Sequence, residues 1–464
     1  MKALSATKSK FDLTQGPILQ RLITLSLPIM ATSFMQMAFN LSDMFWLSRL
    51  SDGSVAAAGT AGIFLWLSMA FIFIGRMGAE IGVSQKMGAG DTEAAKKYAQ
   101  NAFVLSVILG TAYGVAMIIF HRPLIATFGI EDARVVLEAE QYLVFTALAF
   151  PFFFTHHVIT GVFNGFGNTR LPFYINSLGL AINIAITPVF IFVFNMGIVG
   201  AAITTVVAQV INLALKLWAM KRYSNRPFET FKFFAKPIEA YVKQIFRWST
   251  PVAIESGLFT LLFMVVSWRI ADFGYGALAA QRVGSQVESL SWMMAGGFAS
   301  AVTAFMGQNF GAKKYGRLRQ GYKISITAMA IYGMFVTAIL FFFAHPLIGI
   351  FLSDPESVAI GGAYLRIFAL TQILTCMDGV AAGAFRGKGL TMKPTIASVS
   401  SNVLRVILAY ALAETALGLD GIWIGIAISV TVRNVWLLVW YRLDARKLPK
   451  EDLEGEETEC ALIS

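Results

Sequence analysis

Three carboxylates in this chain stand where water should be scarce. Asp43, Glu255 and Asp378 each interrupt a long apolar run, and none has a lysine or arginine three or four positions away. A charge at bilayer depth costs about 2.5–3.5 kcal/mol even on the lenient insertion scale, so an unpaired acid there implies a use. It can take up a proton, ligate a cation such as Na⁺, or face a cationic substrate. The structural alternative is neutralisation by an arginine on another helix, for which Arg282, Arg366 and Arg405 are the candidates.

Position within the runs separates the three acids. Glu255 lies eight residues into its run, roughly 12 Å from the end at about 1.5 Å per residue. Asp378 lies at a similar depth from the same side, so the two are expected to form one site. Two carboxylates at one depth offer hard oxygen ligands and a double negative charge, which suits Na⁺. They equally suit one shared proton, because neighbouring carboxylates do not readily both ionise. Asp43 stands alone and is better placed to take a proton than to cage a metal.

Other titratable groups lie inside apolar runs. Arg76 and Glu80 are four apart, share a helix face and are expected to neutralise one another. Arg282 and Glu288 are six apart and cannot pair along one face. A histidine outside a fold titrates near neutral pH, so His156 is either hydrogen-bonded in a helix interface or an accessory proton site. Glu80, His156, Arg282 and Glu288 are therefore accessory candidates. Arg405 and Arg433 read as struts between helices.

The elements that carry these residues follow from composition. Apolar residues make up 56% of the 464-residue chain and charged residues 14%, against about 25% charged in a soluble domain. Apolar windows of membrane-spanning length recur. They read as twelve helices near 25–48, 55–84, 96–120, 137–162, 170–194, 199–221, 247–270, 277–306, 322–344, 358–384, 393–413 and 420–441. The fold class is an all-α polytopic membrane protein.

The twelve spans are two copies of six. Gly161, Phe163, Gly165, Gly167, Thr169 and Pro172 recur as Gly383, Phe385, Gly387, Gly389, Thr391 and Pro394, a displacement of 383 − 161 = 222. Pro28 answers to Pro251, Gln85 and Gly88 to Gln308 and Gly311, and Pro123 to Pro346, each displaced by 223. Several blocks in order at a steady offset mark a duplication. Six spans per copy start both copies on the same side, so the repeats are parallel. His156 is the repeat mate of Asp378 (378 − 156 = 222).

The net charge of +10 follows the membrane and does not point to nucleic acid. With the N-terminus inside, 28 of the 37 basic residues fall on inner segments, Lys216 and Arg386 among them, and four on outer ones. That asymmetry predicts a cytoplasmic N- and C-terminus. The expected division is a segment 1–21, a first lobe 22–221, a basic linker 222–246 on lipid headgroups, a second lobe 247–442 and a disordered tail 443–464 that is acidic from Glu451 to Glu459. Cys376 and Cys460 make no disulfide framework. No G-x-x-x-x-G-K-[ST], H-E-x-x-H or Cys/His metal spacing occurs, so neither an enzyme nor a cofactor is expected. The energy source is then an ion gradient.

With these residues in view, the chain resembles the multidrug and toxic compound extrusion (MATE) family over residues 15–442. The resemblance rests on Pro28…Gln36…Asn40…Asp43, on Gln85-x-x-Gly88-Ala89-Gly90-Asp91, on Pro251…Glu255, on Gln308-Asn309-x-Gly311-Ala312 and on the paired glycine turns. It implies two six-helix lobes in a V, acting as a monomer by alternating access, which export cationic or amphipathic small molecules against inward H⁺ or Na⁺. Asp43 matches the family's first-lobe acid, with Gln36 and Asn40 as accessories on the same helix. Glu255 and Asp378 match the second-lobe cation site of the NorM-like branch. Arg282 and Glu288 depart from that pattern. A flippase for a lipid-linked or amphipathic metabolite, on the related polysaccharide-exporter plan, is the alternative.

Overall fold

A computed structural model describes residues 11–352 and 354–449. The acidic run of the tail, Cys460 and the side chain of Asn40 lie outside the described residues.

The first half folds as α1 (Ile18–Ser48), α2 (Asp52–Gly88), α3 (Thr92–Ala126), α4 (Ala133–Ala147), α5 (Phe150–Phe166), α6 (Arg170–Pro188), which runs into a π-turn at Val189–Val193, and α7 (Gly197–Arg222). The second half folds as α8 (Glu239–Ala271), α9 (Tyr275–Gly311), α10 (Tyr315–Phe342), the short α11 (Ala344–Gly349), α12 (Pro355–Ala369), α13 (Gln372–Gly387), α14 (Met392–Ala413) and α15 (Gly418–Ala445). There is no strand among the described residues.

Among the described residues, ten helices are long and apolar enough to span alone; α4 with α5 and α12 with α13 are pairs bent by 50° and 51°, and counting each pair as one span gives twelve. The expected continuous helices 137–162 and 358–384 are thus each broken, and the breaks are repeat mates: Ala147 to Ala369 and Phe150 to Gln372 are both displaced by 222. In the first copy, Pro151 lacks the amide that would continue the helix ladder. In the second copy there is no proline. There the Thr371 hydroxyl donates to the carbonyl of Phe368 at 2.8 Å and competes with the backbone for that acceptor.

The glycine turns that revealed the duplication act alike in both copies. Gly167 and Gly389 have φ of +100° and +77°, which glycine adopts without steric cost. The amide of Asn168 donates to the carbonyl of Phe163, and that of Leu390 to Phe385, both at 2.9 Å, closing α5 and α13 with the same C-terminal cap. Upstream, a Cβ on Gly161 would lie 2.7 Å from the Arg76 carbonyl, and one on Gly383 would lie 2.5 Å from that of Ala299. These glycines let α5 lie directly on α2, and α13 on α9.

The chain divides into two compact units whose borders cut through two helices. One unit holds Ala31–Met87 and Asp91–Ile254; the other holds Asp12–Met30, Gly88–Gly90 and the chain from Glu255 onward. The first turns of α1 belong to the second unit, where Leu22, Leu25 and Ile29 enter a core with Phe298, Val302, Phe305 and Phe385. The first turns of α8 belong to the first unit, where Ile245 joins Val83, Tyr98 and Phe163. Each border follows within one turn of a repeated proline, Pro28 or Pro251, where a missing amide weakens the ladder.

Candidate functional site

In the first unit, Asp43 lies on α1, 9% exposed, and its Oδ2 accepts a long 3.5 Å bond from the Thr205 hydroxyl of α7. Its Oδ1 is buried without a hydrogen-bond partner. Tyr142 of α4 lies within electrostatic reach. Among the described residues, Asp43 forms no ion pair. Of the three acids singled out from sequence, it alone keeps the unpaired character inferred for it.

The other two are paired, by arginines other than those proposed. Glu255 on α8 accepts from Arg386 of α13 at 3.3 Å, and from the Thr395 hydroxyl of α14 at 3.3 Å. Asp378 on α13 accepts from Arg433 of α15 at 2.8 Å. Both acids lie within one electrostatic cluster with both arginines. The structure therefore brings Glu255 and Asp378 together, but balances their two charges with two guanidinium groups. The sequence reading puts Arg386 on the inner turn after its span; it lies on α13, two turns beyond Asp378 and on the same side of the helix. Among the described residues, no group of three or more His, Cys, Asp or Glu side chains is arranged to hold a metal ion.

The accessory candidates separate. Glu288 on α9 accepts from the Tyr364 hydroxyl at 2.9 Å and from Gln372 Nε2 at 3.1 Å, and Gln372 in turn accepts from Ser291 at 2.9 Å. Arg405 is buried within electrostatic reach of Glu288, with its guanidinium 5.4 Å from the centre of the Phe259 ring. Arg282 is exposed and forms no ion pair among the described residues, so it is not brought to the site. Glu80 is buried on α2, one turn beyond Arg76. Gln36 is half-buried on α1.

His156 leads to a residue that the sequence reading placed wrongly. Lys216, assigned there to a basic segment at the membrane surface, lies inside α7 and is 0% exposed. Its Nζ donates to Thr160 Oγ1 at 2.8 Å, Asn176 Oδ1 at 2.9 Å and His156 Nδ1 at 3.0 Å. His156 and Thr160 are one turn apart on α5, so one helix face supplies two of the acceptors. A signal was available: Lys216 is followed by Leu217-Trp218-Ala219-Met220, a further apolar turn before the basic end of the span. Arg433, read from the sequence as a strut between helices, does bridge α15 to α13, although nothing in the sequence named Asp378 as its partner; Thr205 carried no signal.

A duplicated bundle of membrane-spanning helices with buried, partly unneutralised ionisable groups is the build of a secondary transporter. The chain belongs to the MATE family of multidrug efflux transporters: the MatE family model matches residues 28–189 and 251–411, once in each copy of the repeat. It is similar to a probable multidrug resistance protein, NorM, of Thermotoga maritima, at 28% identity over 91% of this chain and 92% of that one. It is also similar to an FAD transporter of Shewanella oneidensis, at 24% identity over 91% and 94% of the two chains. A crystal structure of MATE in the straight conformation has the same fold, with a TM-score of 0.89 over 95% of this chain and 99% of that one at 24% identity.

Proposed function

We propose that this chain is a secondary active antiporter that exports cationic or amphipathic compounds from the cytoplasm, with Asp43 as the acid that exchanges substrate for the coupling ion. One observation carries this reading: Asp43 is buried with one carboxylate oxygen unpartnered, and among the described residues no cation pairs with it. Such a carboxylate attracts either a proton or a cationic substrate, and taking one favours release of the other. The proton is the favoured coupling ion. A Na⁺ ion at Glu255 and Asp378 would first have to displace Arg386 and Arg433. The excess of basic residues on alternate segments supports a cytoplasmic N- and C-terminus in a bacterial inner membrane.

A second reading has its own support. Lys216 is a fully buried basic side chain held by neutral acceptors, and one relative is an FAD transporter, whose cargo is an anionic aromatic compound. Anionic amphiphiles are therefore the alternative cargo.

Purified protein in liposomes loaded with a fluorescent organic cation or with a flavin nucleotide separates these readings. Transport of the cation under a pH gradient without Na⁺, lost in Asp43→Asn, is the expected result. Transport under a Na⁺ gradient alone, lost in Glu255→Gln and Asp378→Asn but retained in Asp43→Asn, would move the coupling site to the second unit. Movement of the flavin nucleotide but not the cation would replace the cargo class.

A further inference from the structure

Within the first unit a cavity of about 520 Å³ opens on the flank made by α3, α5 and α7, and the segment between α7 and α8 covers it. Neither Asp43 nor Lys216 lines it. Its volume falls in the range of small-molecule sites, about 300–1,000 Å³. The order of residues along one face of α7 defines it. Leu213, Leu217 and Lys221 are one turn apart, so over roughly 12 Å the slot passes from apolar to basic at the end of the helix. Phe233 closes the covering side, its ring centre 5.2 Å from that of Phe103 on α3. Lys221 Nζ sits 5.1 Å from the centre of the Phe233 ring, and Lys232 lines the same cavity. Among the described residues neither lysine forms an ion pair. Next to them Phe234 is 80% exposed, as suits an aromatic ring at a membrane interface.

We infer that this slot holds one anionic phospholipid, its phosphate between Lys221 and Lys232 and part of one acyl chain along Leu217, Leu213 and Phe103. Two unneutralised ammonium groups at the mouth call for an anion, and the apolar slot behind them calls for a chain attached to it. A free anion satisfies only the first demand, and a neutral lipid only the second. The bound lipid would tie the covering segment to α3 and α7.

The test is lipid retention by the full chain, purified in a neutral detergent and followed by native mass spectrometry. Phosphatidylglycerol is expected to stay bound at one molecule per protein, phosphatidylcholine to bind more weakly, and millimolar inorganic phosphate to leave the bound lipid in place. Lys221→Gln and Lys232→Gln are each expected to weaken phosphatidylglycerol binding about fivefold. Leu217→Trp fills the slot without changing charge and is expected to remove retention at unchanged circular dichroism. Equal retention of the two lipids, wild-type retention in the Lys221→Gln/Lys232→Gln double variant, or displacement by inorganic phosphate overturns the inference. Should Leu217→Trp fail to fold, the two lysine variants decide it.

Discussion

His156 and Asp378 occupy the same place in the two copies of the repeat, and each meets a basic side chain from the last span of its own copy. In the first copy Lys216 of α7 donates to the imidazole at 3.0 Å; in the second Arg433 of α15 donates to the carboxylate at 2.8 Å. The surroundings then diverge. The position one turn after the shared α2/α9 glycine contact is Glu80 in the first copy and Thr303 in the second (303 − 80 = 223). Asp43 has Val266 as its counterpart, and Glu255 has Thr32. Duplication therefore preserved the frame and let the chemistry drift. One copy now holds a lone acid and, at a separate place, a caged lysine; the other holds a balanced cluster of two acids and two arginines. A neutralised pair contributes structure, whereas an unneutralised charge remains free to bind something that moves.

The largest effect expected from this contrast is on transport. Asp43→Asn should reduce dye efflux to background at equal membrane abundance, while the melting temperature in detergent holds or rises because no partner is orphaned and a buried charge is removed. Wild-type efflux from the variant would remove Asp43 from the mechanism and make the two copies functionally alike.

In the second copy the same kind of intervention should act on stability. Arg433→Met leaves Asp378 buried and uncompensated, a loss of about 3–5 kcal/mol. Adding Asp378→Asn should restore most of that loss, since the stranded charge disappears. The check is thermal unfolding of the single and double variants, and simple additivity would argue that the pair is not the stabilising unit.

Lys216→Met sharpens the comparison from the other side. It orphans Thr160, Asn176 and His156, which are neutral, so the expected cost is about 1–3 kcal/mol, below that of Arg433→Met. A cost as large as that of Arg433→Met would mean that the first copy also holds a compensated charge.

The smallest difference should come from the shared frame. Gly161→Ala and Gly383→Ala each push a methyl against a carbonyl on the neighbouring helix and should cost about 1–3 kcal/mol, nearly equally in the two copies. Unequal melting shifts would show that the helix contacts have diverged along with the chemistry.

Glycine and proline spacing, charge density and the length of the apolar runs sufficed to read the duplication, the membrane setting, the candidate spans and the repeated glycine turns. All of these are local or periodic properties of the chain, and a covalent neighbour or a steady offset reports them. The lack of a basic residue within a turn of Asp43, Glu255 and Asp378 was also legible, though it did not distinguish them: of the three, only Asp43 stays without an ion pair among the described residues. The partners of Glu255 and Asp378 were not. Arg386 and Arg433 lie 131 and 55 residues away from them, and which helix faces which depends on rotation and relative depth, to which hydropathy is blind. Nor did the sequence assign the first turns of α1 and α8 to the opposite unit, since their apolar faces fit either core and only packing chooses. The break at Thr371 likewise had no proline to announce it, because there it is tertiary bonding of Gln372 to Ser291 and Glu288, together with a competing threonine hydroxyl, that turns the helix.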